Sequence, residues 1–166
     1  MKHDRLISAL DAAAEHTGLP AMARGQVRRR HLRWLPIVAL ALSFGGWTIS
    51  LANAGWGFAG QVLVYLGLAI AGFLPLFGPI KPWGTPERVD EFDRAARTRA
   101  FLVAFATMSA VALGGIWLLI AMAALGRWPL STLIVELNAL AVVLLTLYSA
   151  VPTLHASWAT RPLAED

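Results

Sequence analysis

Cysteine is absent from this chain of 166 residues. Its absence excludes disulfides, cysteine-held iron–sulfur clusters and thiol nucleophiles. Charge is scarce as well: Asp, Glu, Lys and Arg make up 14% of the residues, against roughly 25% in an average soluble domain. No metal-ligand spacing, phosphate-cradling glycine loop or nucleophile triad can be read anywhere. The sequence therefore points away from an enzyme, and to no cofactor and no metal.

What is abundant is apolar. Hydrophobic residues account for 57% and the mean hydropathy is +0.60. Four apolar runs lie near 35–54, 57–79, 99–125 and 130–154. Each is about 20 residues or longer, enough to cross roughly 30 Å of hydrocarbon at 1.5 Å per residue. Lipid cannot satisfy open sheet edges, and barrel strands would be shorter and alternate in polarity, so the runs read as helices. The expected fold is an all-α membrane protein with four transmembrane helices, arranged as two antiparallel hairpins.

The net charge of +4 would suit a nucleic-acid partner, but its distribution points to a bilayer. Seven of the 14 basic residues precede the first run: Lys2, Arg5, Arg24, Arg28, Arg29, Arg30 and Arg33. Lys81, Arg88, Arg94, Arg97 and Arg99 lie between the second and third runs, and Arg161 follows the fourth. Arg127 stands alone on the other side. This positive-inside pattern predicts cytoplasmic N and C termini and a cytoplasmic middle loop in a bacterial inner membrane. Residues 1–33 read as a retained tail and the first run as a signal anchor.

Residues 1–17 have the spacing of a short amphipathic helix, ended by Gly18 and Pro20. Arg28, Arg29, Arg30 and Arg33 either anchor the topology or hold anionic lipid. Trp34, Trp83 and Trp158 fall at inner edges, Trp56 and Trp128 at outer turns. The outer connections are too short for an external domain. Pro75, Pro79 and Pro82 are expected to end the second span. Thr85-Pro86-Glu87 reads as a helix start, and Asp90–Arg94 and Asp93–Arg97 as paired charges one turn apart. That helix, from about 86, should run unbroken into the third span. The domain plan is a tail over 1–33, a bundle over 34–158 with a helical loop at 80–98, and a tail over 159–166.

The run Asp90-Glu-Phe-Asp-Arg-Ala-Ala-Arg-Thr-Arg-Ala100 resembles the acidic and arginine juxtamembrane motif of small uncharacterised bacterial four-helix inner-membrane proteins. Phe92 stands where that pattern often has another charge. The resemblance implies the fold and no activity.

One carboxylate lies inside an apolar run: Glu136. It sits roughly 10 Å from the start of its helix, at the depth of Trp47, Ser50, Gln61 and Trp117 on the other spans. These form a candidate polar layer. Asn138 lies on another face of the same helix. Glu136 has two readings: an uncharged acid that fixes helix register, or a proton- or cation-binding group in a small transporter or channel. His31 and His155, near the inner border, read as interfacial residues rather than haem ligands. Ala106, Ala110 and Gly114, like Ala41 and Gly45, recur every four residues as helix-packing seams, within the bundle or between subunits. Gly45-Gly46-Trp47 and Gly114-Gly115-Ile-Trp117 give the two halves a similar outline, from either duplication or the frequency of these residues in spans. The leading expectation is a non-enzymatic accessory or scaffolding subunit. Its partners would be the bilayer and a second copy or another membrane protein.

Overall fold

The computed structural model describes residues 33–52, 54–78, 91–126 and 128–159. It is all-helical: α1 is Trp34–Ala52, α2 Gly57–Phe77, α3 Glu91–Gly126 and α4 Leu130–Ala159, with a 3-10 turn at Ala54–Trp56 between the first two. All four helices are long and apolar enough to cross a membrane. Expectations placed on residues 1–32, 79–90 and 160–166, and on Asn53 and Arg127, lie outside the described residues, among them the N-terminal helix, Arg28, Arg29, Arg30, His31 and the Thr85 start.

Two prolines lie inside helices. Pro75 lies inside α2, which runs on to Phe77. Proline removes the one hydrogen bond its missing N–H would have made, and the helix tolerates that loss close to its end. Gly78 then closes the turn, its N–H donating to the Leu74 carbonyl at 2.7 Å. Likewise α4 passes through the buried Pro152 and continues to Ala159. The Thr153 hydroxyl donates to the Ser149 carbonyl at 3.4 Å beside that gap. From Glu91 onward α3 is unbroken, and its 36 residues span roughly 54 Å.

Packing is uneven. α4 touches all three other helices, and α1 and α2 pack closely on each other. α3 packs its backbone only against α4. Within their most apolar stretches, 39% of α4 is buried but 11% of α3. The buried side of α3 repeats at three and four residues: Arg97, Ala100, Ala104, Gly115 and Leu119. Such spacing marks one helical face. It includes Arg97, 8% exposed, the basic member of the expected Asp93–Arg97 pair.

The α1–α2 seam is built on small residues. A Cβ on Gly46 would lie 2.5 Å from the Gly60 carbonyl oxygen, and one on Gly67 would lie 2.7 Å from that of Ala39. Only glycine lets the backbones come this close, and the dispersion gained there replaces the hydrophobic drive that lipid does not supply. Gly45 has nothing within 4 Å of its would-be Cβ, and Ala41 is exposed. The first-span seam is therefore set by Ala39, Ser43 and Gly46, turned away from the Ala41–Gly45 pair.

Candidate polar site between the helices

Glu136 is 4% exposed, in the second turn of α4. The Ser50 hydroxyl of α1 donates to its Oε1 at 2.6 Å. The Gln61 amide of α2 donates in turn to Ser50 Oγ at 3.3 Å. Three helices are thus joined through one hydroxyl, that of Ser50. A side-chain bond between helices averages about 0.6 kcal/mol in a bilayer. Glu136 Oε2 and the Trp47 Nε1 are both buried without a hydrogen-bond partner.

Of the expected polar layer, Ser50, Gln61 and Glu136 come together in this chain, and Trp47 is buried nearby on α1, one turn from Ser50. Trp117 does not join it. Its side chain is 69% exposed on the outward face of α3. The cause is a single residue of spacing. Gly46 precedes Trp47 directly, whereas Ile116 separates Gly115 from Trp117. One added residue turns a side chain by roughly 100°. The glycine pairs themselves behave alike: Gly45 and Gly114 are open, while Gly46 and Gly115 meet a neighbouring helix.

Asn138 is exposed and serves another contact: the Tyr65 hydroxyl of α2 donates to its Oδ1 at 2.7 Å. A second buried pair lies two turns along α1, where Ser43 Oγ donates to Thr146 Oγ1 at 3.3 Å and Thr146 donates to the Val142 carbonyl at 2.9 Å. Both residues are fully buried. The sequence reading missed this pair, because lone Ser and Thr in apolar runs commonly bond their own helix. The seven-residue spacing of Ser43 and Ser50 on one helical face was the available signal.

At the end of the bundle where α1 begins and α4 ends, the Arg33 guanidinium lies over the Trp158 ring, 5.9 Å from its centre. Ala106, Ala110 and Gly114 are exposed on α3, and a Cβ on Gly114 would meet nothing within 4 Å. Among the described residues no cluster of three His, Asp or Glu side chains is placed to hold a metal ion. No protein-family model matches the chain, and searches of curated proteins and of solved structures gave no match either.

Proposed function

We propose that the protein is a multi-pass inner-membrane accessory or scaffolding subunit, not an enzyme, and that α3 is the helix it offers to a partner. The observation that carries this reading is the isolation of α3, which packs its backbone only on α4. Its outward face aligns Ala106, Ala110, Gly114 and Trp117. The small residues let another helix approach closely, and the neighbouring indole gives it a large group to pack on. In this arrangement the four helices form two antiparallel hairpins with both chain ends cytoplasmic. Thirteen of 14 basic residues in the tails and middle loop support that orientation. So does the Arg33–Trp158 contact, which places the start of α1 beside the end of α4.

The test is a pair of variants on the open face, Ala110→Leu and Trp117→Ala, purified in mild detergent. Both should leave the melting of the isolated chain within about 1 kcal/mol of wild type, as expected for sites with no partner in the fold. Both should also shrink the complex recovered from membranes. A complex of unchanged mass would remove α3 as the docking helix.

The transporter reading keeps one observation in its favour, the unpartnered Oε2 of Glu136 in the bundle interior. Glu136→Gln separates the two. It retains an acceptor for Ser50 but cannot release a proton. The subunit reading predicts that Glu136→Gln assembles and supports growth as wild type does. Loss of a proton-dependent phenotype with intact assembly would favour transport.

A further inference from the structure

An open groove of about 450 Å³ lies between α3 and α4, lined by Val103, Val151, Leu154, His155 and Trp158. Its polarity is graded. Val103, Val151 and Leu154 offer an apolar channel, while His155 and Trp158 lie toward the end of α4. Trp158 carries the Arg33 guanidinium on its ring. Arg99 is exposed on α3 one turn before Val103 and lines a separate pocket with Arg94, Thr98 and Leu102, not this groove. Arg33 stands at this end, as do the first turns of α3, whose sequence carries Arg94, Arg97 and Arg99 with the acids Glu91 and Asp93. An apolar channel opening onto cations matches one class of molecule in shape and charge: an amphiphile with an anionic head.

We infer that this groove is a binding site for an anionic phospholipid. One acyl chain lies along Val103, Val151 and Leu154. The phosphodiester sits at the mouth beside the Arg33–Trp158 pair, with His155 as a hydrogen-bonding neighbour. A soluble phosphate would use the mouth and leave the channel empty, so the apolar lining selects the lipid. The bound lipid also packs along the line where α3 meets α4. It thereby supports the helix with the least packing of its own.

The test uses the full chain, delipidated in mild detergent and titrated with phosphatidylglycerol or phosphatidylcholine, with retained lipid counted by native mass spectrometry. One phosphatidylglycerol should be retained in preference to phosphatidylcholine. Arg33→Gln should weaken it about fivefold, the effect of one basic residue near a charged surface, and Arg99→Gln, outside the groove, should change it less. Val103→Trp changes no charge, fills the channel, and should weaken phosphatidylglycerol by a similar or larger factor. Leu154→Phe is the second filler, read in the same way if the first does not purify. Equal retention of both lipids would overturn the anionic-head assignment. Wild-type retention by a filled channel would overturn the groove. Competition by inorganic phosphate as strong as that by lipid would overturn the acyl-chain contact.

Discussion

Valine in place of Gly46 should destabilise the bundle by about 3 kcal/mol, near the upper end for overpacking in a tight core. The new Cβ would stand 2.5 Å from the Gly60 carbonyl oxygen, 2.7 Å from Leu63 Cβ and 2.8 Å from the Val64 nitrogen. Two of these are backbone atoms of a helix and cannot rotate away. The helices must separate, and the Ser50–Gln61 contact at the same seam must lengthen. One position earlier the outcome reverses. Gly45 has open space around its would-be Cβ, so Gly45→Ala costs no contact and gains helix propensity, up to about 1 kcal/mol. Unfolding of both variants in mixed micelles checks the pair. Equal effects at 45 and 46 would mean that α1 meets α2 through a different face.

The second large effect is expected at Ser50, and it comes with a rescue. Ser50→Ala removes the hydroxyl that donates to Glu136 Oε1 and accepts from Gln61. Because Oε2 has no partner already, the buried carboxyl is left unsatisfied. An orphaned buried polar group costs roughly 1–3 kcal/mol, and more when charged. Glu136→Leu alone should cost less, since it removes the group that is expensive to bury and leaves a serine able to bond its own helix. The double variant should be more stable than Ser50→Ala by itself. That non-additivity is the signature of a direct contact. Additive losses from the two single changes would mean that the hydroxyl and the carboxyl do not meet.

These two sites show which features the sequence disclosed. Four apolar runs of the right length announced four helices, and Glu136 announced a polar contact because a carboxylate in an apolar run needs a partner. The helix faces were harder to read. Small residues recur every four positions on more than one side of α1 and α3. Ala41–Gly45 and Ala106–Ala110–Gly114 are as regular in sequence as Ala39–Ser43–Gly46 and Ala100–Ala104. Spacing alone does not say which side meets a neighbour. That depends on how the whole bundle closes. The seven-residue recurrence of Ser43 and Ser50 would have chosen the correct face of α1, since two hydroxyls on one side of a span favour the interior. For α3 the corresponding signal was Arg97, whose charge is easier to place against another helix than against lipid. Trp117 entered the expected polar layer by its depth, and depth does not fix direction: a one-residue difference after the glycine pair turns it outward.

The absence of cysteine makes the α3 proposal directly measurable. Single cysteines placed in turn from position 104 to 117 can be cross-linked in native membranes. The account predicts adducts, with a second copy or with another protein, that peak at 106, 110, 114 and 117 and vanish at 104 and 115, where α3 meets its own bundle. Adducts of equal yield all round the helix, or none on the 106–110–114 face, would contradict it.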